Sequence, residues 1–188
     1  MKENTGKSKY VILGMLARMP QTGYTIKKWI KHEYSHFWQE SFGQIYPTLK
    51  KLVAEGLAIC SENTSAGNGR GQIVYSITDA GRTELSDWLQ KEPEIEKLRY
   101  EILLKISLGG NTEPEVLVGH LDNFIKRNEK LVTDLSGYID LFDKLKEDGA
   151  DYTYSQLTAL CGVYIYTAMK DWAVKAKEII KEKGNHEL

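Results

Sequence analysis

The stretch Gln44-Ile-Tyr-Pro-Thr-Leu-Lys-Lys-Leu52 decides the fold that we predict for this chain. Its isoleucine and two leucines recur at helical spacing and would form one buried stripe. Lys50 and Lys51 then lie side by side on the exposed face. The proline restricts where the helix can begin, because proline has no backbone N–H to donate. The stretch therefore predicts a short amphipathic helix with a basic surface.

Two starting points for this helix are open. Ser41 and Gln44 fit a capping box, which puts the start near Ser41 and Pro47 in the second turn. Alternatively, the helix begins at Tyr46, with Pro47 at the first helical position, where its missing N–H costs little. Gly56 follows as a C-terminal cap in the left-handed conformation and ends the helix.

The flanking sequence supplies the rest of a small domain. Pro20 ends a first helix, and Thr22 caps a second one after a turn at residues 21–23. The second helix carries Tyr24, Ile26, Ile30 and Tyr34 on its apolar face, with Lys27, Lys28 and Lys31 on the other. The remaining predicted elements are a helix at about 8–18, strands at 57–60 and 72–77, a glycine-rich loop between them, and a helix capped by Thr78 or Asp79.

This order of three helices, strand, loop and strand is that of a winged helix-turn-helix. Such folds lay their third helix in the major groove of DNA. The fold class that we predict is mostly α, with this N-terminal winged helix-turn-helix over residues 1–91. An all-helical dimerisation domain follows over residues 92–188, with Pro93 marking the boundary.

Composition and charge agree with a globular chain of one large or two small domains. The 188 residues are 41% apolar and 27% charged, with two cysteines in unrelated contexts. We recognise no membrane span and no signal peptide, so a cytoplasmic protein with reduced thiols is expected. Residues 1–90 carry 11 basic and 8 acidic side chains, leaving 14 and 18 for the rest. This asymmetry suggests a polyanionic partner for the first half.

The second half predicts three helices, at 94–108, from about Thr112 to Asp148, and from Tyr154 to about Lys183. The long middle helix has an apolar heptad, which is typical of a coiled coil or bundle seam. The seam residues that we assign to dimerisation are Leu121, Phe124, Asn128, Leu131, Leu135, Tyr138 and Phe142. Asn128 either specifies register and partner number, or caps a local kink or faces water.

The last helix is apolar around more than one stripe. A helix of this kind needs cover on two sides, and a second copy of the chain would supply it. Aromatic residues near one end of this helix either line a pocket for a small effector, which an aromatic molecule would suit, or pack in the core and interface. The pocket candidates are Tyr164, Met169 and Trp172.

Several motifs in this order resemble the PadR family of bacterial transcription regulators. They are Tyr10-Val-Ile-Leu-Gly-Met-Leu, Gly23-Tyr24, Gly43-Gln-Ile-Tyr-Pro-Thr-Leu-Lys-Lys-Leu52 with Glu55-Gly-Leu57, and Tyr75-Ser-Ile-Thr-Asp-Ala-Gly-Arg82. In the second half, Leu98 to Gly110 is the best local match. The resemblance implies a homodimer that binds a palindromic operator, usually as a repressor, with inducers that differ between members.

DNA binding would use the helix at 41–55 and the wing at 62–72. Gln44 can pair with adenine and Thr48 can touch a thymine methyl, whereas Lys50 and Lys51 suit phosphates. Arg70 at the wing tip could enter a minor groove. The full set of expected DNA-binding residues is Lys27, Lys28, Ser41, Gln44, Tyr46, Thr48, Lys50, Lys51 and Arg70. For each lysine the simpler interpretation is a solvated surface, and Tyr46 equally suits core packing.

Two other classes of function compete with this one. His32-Glu-Tyr-Ser-His36 spells the zinc-peptidase motif H-E-x-x-H, although no further histidine signature follows. A winged helix can also bind a protein partner in place of DNA. Neither phosphate-binding nor nucleotide-binding loops nor a catalytic triad is recognisable, so we expect no enzyme activity, no cofactor and no metal.

Overall fold

The computed structural model describes residues 6–38, 42–63, 72–147 and 151–186, and the chain forms two compact units, Met1–Ile95 and Glu96–Leu188. The elements of the first unit are α1 (Ser8–Arg18), β1 (Gln21–Thr22), α2 (Gly23–Glu33), α3 (Phe42–Ala54), β2 (Ala58–Asn63), β3 (Gln72–Ile77) and α4 (Asp79–Leu89). Those of the second are α5 (Glu101–Ser107), a 3-10 turn (Gly109–Asn111), α6 (Pro114–Glu147) and α7 (Thr153–His186).

The first unit is a winged helix-turn-helix, which confirms the predicted fold class. Three helices pack their apolar faces together and the small sheet closes one side of the core. The side chains buried in this core are Ile12, Leu13, Met15, Leu16, Ile26, Ile30, Ile45, Leu49, Leu52, Ala58 and Tyr75. Tyr24, which the pattern assigned to the apolar face of α2, is instead 72% exposed.

The sheet has a third strand that the sequence did not reveal. Residues 21–23 were expected to form a turn, but Gln21–Thr22 pairs antiparallel with β3, and the strand order is β1-β3-β2. Two residues are too short for a periodic signal. The buried Gln21 side chain adds a second anchor, since its Nε2 donates to the Met15 carbonyl at 2.7 Å.

Thr78 joins the end of α3 to the start of α4. Its hydroxyl donates to the Gly56 carbonyl at 2.8 Å and also accepts from the Gly81 amide at 3.0 Å. Its own amide donates to the Leu57 carbonyl at 3.1 Å. Thr78 is therefore the predicted N-cap of α4, and the same side chain also holds the residue that ends α3.

Polar and aromatic contacts fasten α1 to α4. The Lys9 ammonium lies 2.6 Å from the Glu84 carboxylate, which also accepts from the Tyr10 hydroxyl at 3.0 Å. The Tyr10 ring stacks on Trp88 with ring centroids 4.4 Å apart. The bond from Lys9, followed by that from Tyr10, lowers the pKa of the Glu84 carboxyl from its usual value.

The second unit is built on the pair α6 and α7. Asp122 pairs with Lys177, and Asp143 accepts from Gln156 at 2.7 Å, so the two helices run antiparallel. A core of Leu121, Phe124 and Ala173 lies between them; the side chains packed against it are Ile102, Ile106, Ile125, Met169, Trp172, Ala176 and Ile180. Both long helices agree with the sequence, and Pro114 takes the first helical position.

The predicted helix at 94–108 is wrong in its first half. Residues 94–100 are not helical, and α5 begins only at Glu101. Ile95 is 90% exposed and Leu98 is also exposed. A short helix is marginal in water without a packed face, so this segment lacks the packing that would stabilise it within one chain.

Most of the heptad seam of α6 is covered within one chain. Leu121, Phe124, Asn128 and Leu135 are buried. The others in the set, Leu131, Tyr138 and Phe142, are half-buried. Asn128 does not face water, because it is only 3% exposed, and its Nδ2 donates to the Phe124 carbonyl at 2.7 Å. The four buried side chains leave little surface for a second chain. Across the described residues, no helix has the length and apolar content of a membrane span.

Three glycines give a graded stability test of this fold. Gly81→Ala should cost the most, because its Cβ would overlap the Leu57 carbonyl oxygen. Gly56→Ala meets open space but has φ of 72°, so it should cost about 1–2 kcal/mol through backbone strain. Gly14→Ala in α1 is the control, since its Cβ meets nothing within 4 Å and helix propensity favours alanine.

Urea denaturation of the three variants checks this order. Free energies of unfolding that rank Gly14→Ala above wild type, then Gly56→Ala, then Gly81→Ala would agree with the local geometry. A Gly56→Ala variant as stable as wild type would contradict the cap that ends α3.

Candidate nucleic-acid interface

Helix α3 presents a polar face because its apolar face is held in the core. Ile45, Leu49 and Leu52 have exposed fractions of 2%, 0% and 0%. Burial of three such side chains is worth about 1.5–3 kcal/mol each, which fixes the rotation of the helix about its axis. The predicted DNA-binding residues of α3 lie elsewhere on it: Gln44, Tyr46, Lys50 and Lys51 are exposed, and Thr48 is half-buried.

The helix begins at Phe42 and continues through Pro47. The alternative start at Tyr46 is therefore wrong, and Pro47 lies in the second turn. Ser41 lies outside the described residues, so the capping box stays a prediction. Pro47 is exposed and, lacking an N–H, cannot donate to the Gly43 carbonyl.

The Tyr46 ring rests on the start of α2. A Cβ built on the buried Gly23 would lie 2.6 Å from Tyr46 Cε1 and 3.1 Å from its Cζ. The phenol also lies near Tyr75, whose pKa is raised chiefly by burial and additionally by its neighbours Cys60 and Tyr46. Tyr46 nevertheless remains 52% exposed. It is thus both a packing residue and a surface residue.

The lysines of the interface differ in their surroundings. Lys51 lies 3.7 Å from Glu55, one turn further along α3. Lys50 forms no ion pair with any acid among the described residues. Lys27 and Lys28 are exposed on α2, away from the buried Ile26 and Ile30 of the same helix. The exposed sides of α2 and α3 therefore both carry positive charge.

Comparison with known proteins settles the family. A sequence model described as the transcriptional regulator PadR-like family matches residues 12–87, and one described as the virulence activator alpha C-term matches residues 98–181. The chain is 36% identical to the negative transcriptional regulator PadR of Bacillus subtilis over 151 residues, which cover 78% of this chain and 79% of that one.

This chain belongs to the PadR-like family. The resemblance read from the sequence motifs is confirmed.

Solved structures agree in fold across nearly the whole PadR-like chain. Bacillus subtilis PadR in complex with operator DNA superposes with a TM-score of 0.80 at 26% identity, covering 92% of this chain and 98% of that one. The same protein in complex with p-coumaric acid gives a TM-score of 0.71 at 26% identity and the same coverage. Bacillus subtilis PadR, which shares this fold, therefore binds both operator DNA and a small aromatic acid.

The wing of this PadR-like chain is described at its base alone. Strands β2 and β3 pair from Ala58↔Ile77 to Asn63↔Gln72. Arg70, the predicted wing-tip contact, lies outside the described residues, as does most of the loop. At the base of the wing, Ile59 and Ile73 are exposed.

The H-E-x-x-H motif does not form a metal site within the described residues. Helix α2 ends at Glu33, so His36 is not on the helix that carries His32. The His36 ring packs edge-on against Phe37 at 4.7 Å between centroids. No three His, Cys, Asp or Glu side chains gather in the described ranges in a way that could hold a metal ion. The i, i+4 geometry on which the peptidase hypothesis depends is therefore lacking.

The three residues expected to line an effector pocket do not meet. Tyr164 is 70% exposed, whereas Met169 and Trp172 pack against the core between α6 and α7. Trp172 meets Phe124 edge to face, with centroids 6.0 Å apart. These contacts favour the packing interpretation that the sequence left open for these aromatic residues.

A cavity of about 360 Å³ lies elsewhere in the second unit, beside α5 and α6. Its lining residues are Arg99, Tyr100, Glu101, Ile102, Lys105, His120, Asn123, Phe124 and Arg127. The Arg127 guanidinium lies 5.0 Å from the centre of the Phe124 ring. The sequence offered no signal for this cavity, because its walls come from segments about twenty residues apart.

Proposed function

We propose that this PadR-like chain is a transcriptional repressor that binds palindromic operator DNA as a homodimer and is released by a small aromatic effector. The supporting observation is the exposed basic face of α3, in a chain that superposes on the operator complex of Bacillus subtilis PadR with a TM-score of 0.80. The protein acts in the cytoplasm, where its operator is, and it is not an enzyme; its relatives are transcriptional regulators.

Residues 1–91 serve as the DNA-binding domain and residues 92–188 as the dimerisation and effector domain. In the DNA-binding domain, Gln44 and Thr48 read base edges in the major groove, from the helix that the apolar core holds in place. The positions that contact phosphates and sugars are Lys27, Lys28, Ser41, Tyr46, Lys50 and Lys51. Arg70 enters the minor groove from the wing.

Lys50→Ala should weaken DNA binding without changing the fold. Removing one phosphate contact lowers the slope of log affinity against log salt by about 0.9, so a dimer should show a slope shallower by about 1.8. Gln44→Ala should instead reduce the preference for the operator over random DNA. Fluorescence anisotropy on DNA from upstream of its own gene, at several salt concentrations, measures both effects.

Lys130→Ala is the matched control, since Lys130 is an exposed lysine on α6 in the other unit. It should bind as wild type does. A wild-type protein that binds no DNA even at low salt, where phosphate attraction is strongest, would sink the proposal.

The second proposed interface is an apolar stripe on the outer side of α7. Its members recur at i, i+3, i+4, i+7 and i+11, and they are exposed: Leu157, Leu160, Cys161, Tyr164 and Ala168. The helix buries its opposite side, including Ala159 and Ala173, against the rest of the unit. We assign dimerisation mainly to this stripe and not to the buried members of the α6 seam, because only exposed apolar surface can gain from a second chain.

Leu157→Glu with Tyr164→Glu should convert a dimer into a monomer. Each glutamate would bury its carboxylate against the apolar surface of the partner, which costs free energy, and the symmetry of the dimer repeats this cost in both subunits. Light scattering should give twice 21.4 kDa for wild type and 21.4 kDa for the variant. Operator affinity should fall with it, because only a dimer spans two half-sites about 34 Å apart. Lys130→Glu adds the same charge on α6 and should stay dimeric; a wild-type monomer would contradict the assignment.

We assign the effector to the cavity beside α6. It carries four basic side chains, Arg99, Lys105, His120 and Arg127, with the rings of Tyr100 and Phe124. Glu101 is the acid in its lining, and it lies 3.3 Å from Lys105. Such walls suit a small aromatic acid, with cations for the carboxylate and rings for the aromatic face. The p-coumaric acid complex of the Bacillus subtilis relative supports this class of ligand.

p-Coumaric acid should stabilise the wild-type protein and release it from DNA. At one hundred times the dissociation constant, the expected gain in unfolding free energy is about 2.7 kcal/mol. Arg127→Ala should lose most of the thermal shift, since it removes a cation and its contact with Phe124. Lys130→Ala should retain it. A thermal shift in Arg127→Ala equal to that of the wild-type protein would contradict this cavity as the effector site.

A further inference from the structure

The backbone conformation at position 23 does not explain why this residue is a glycine. It is the first residue of α2, where glycine is among the poorest helix formers. Among the described residues, only Gly56 has a positive φ, so Gly23 adopts a conformation open to any L residue. The chain on its N-terminal side is held twice, by the pairing of Thr22 with Val74 and by the Thr22 cap on the Thr25 amide.

What requires a glycine is the Tyr46 ring. A methyl group on Gly23 would lie 2.6 Å from Tyr46 Cε1, inside any real carbon–carbon contact. Because the backbone of Gly23 is fixed by the sheet and the cap, the ring must give way. Tyr46 is half-exposed, so its ring can swing into solvent at little cost to the core. Gly23 therefore determines where the Tyr46 side chain points, more than whether the domain folds.

The seated phenol lies at the edge of the proposed DNA-binding face. Tyr46 is one helical turn before Lys50, which places both side chains on neighbouring parts of the surface. Its ring spans from α3 to the first residue of α2, the other helix that presents basic side chains. A tyrosine hydroxyl is a good donor to phosphate oxygen when its ring is held still beforehand.

We propose that Gly23 is a positioning residue for DNA binding, which seats the Tyr46 ring against the start of α2 so that its hydroxyl donates to a DNA phosphate. This inference rests on the proposed DNA-binding function. It distinguishes Gly23 from a structural glycine, because alanine at this position leaves folding intact and still removes a DNA contact that Gly23 itself does not make.

The test is a double-mutant cycle on the full-length protein. Wild type, Gly23→Ala, Tyr46→Phe and the double variant are titrated onto duplex DNA from upstream of the protein's own gene. Gly23→Ala and Tyr46→Phe should each weaken binding of the dimer by about a hundredfold, because each change removes a hydrogen bond to a charged group, worth about tenfold, from both subunits. The double variant should be no weaker than either single variant, because both changes remove the same contact. The melting temperature of Gly23→Ala should equal or exceed that of wild type.

Gly14→Ala is the matched control, since it adds a methyl to another helical glycine with nothing within 4 Å. It should leave DNA affinity unchanged. Multiplicative losses in the double variant, or a Gly23→Ala variant that binds as wild type does, would overturn the proposal. If Gly23→Ala fails to fold, Gly23→Ala with Tyr46→Ala decides: recovery of folding supports the steric contact, and continued unfolding refutes it. Wild-type protein that binds no DNA would end both this inference and the proposed function.

Discussion

The burial of Ile45, Leu49 and Leu52 is the constraint on which the rest of the first unit depends. A helix of thirteen residues with a proline in its second turn would not hold its shape in water alone. Packed into the core against α1 and α2, it can tolerate both the missing hydrogen bond and an exposed face rich in polar side chains. The same packing fixes which residues point outward, so the core determines which side chains form the proposed DNA-binding surface.

The second unit follows a different logic. Its long helices pack against each other along one side, around a core centred on Leu121 and Phe124, and the Asp122–Lys177 ion pair joins them beside it. The apolar pattern of α6 is therefore mostly used within the chain. What remains unsatisfied is the opposite side of α7, where an apolar stripe meets solvent. This stripe is the surface on which we propose that a second copy of the chain packs.

Much of this could be predicted from the sequence, where signals were long or chemically specific. Ile45, Leu49 and Leu52 gave the third helix, Gly56 its end, and Thr78 the start of the fourth. Other features needed tertiary information. Gln21–Thr22 is a strand only because β3 lies beside it, and residues 94–100 are not helical, with the apolar side chains of Ile95 and Leu98 left exposed. A heptad repeat does not reveal whether the helix packs on another helix of the same chain or on a second chain. The close approach of Gly23 to Tyr46 depends on how α2 and α3 pack together.

Thr78, between β3 and α4, connects the end of α3 mechanically to the start of α4. Thr78 donates to the carbonyl of Gly56, two residues after the end of α3, while it caps α4 through the Gly81 amide. Gly81 in turn packs so closely on the Leu57 backbone that a Cβ at this position would overlap the Leu57 carbonyl oxygen. Helix α4 is the final element of its unit before the chain continues toward α5. A displacement of α4 would therefore be passed to α3, the helix of the proposed DNA contacts, at this junction as well as through α1, to which Glu84 and Trp88 fasten α4.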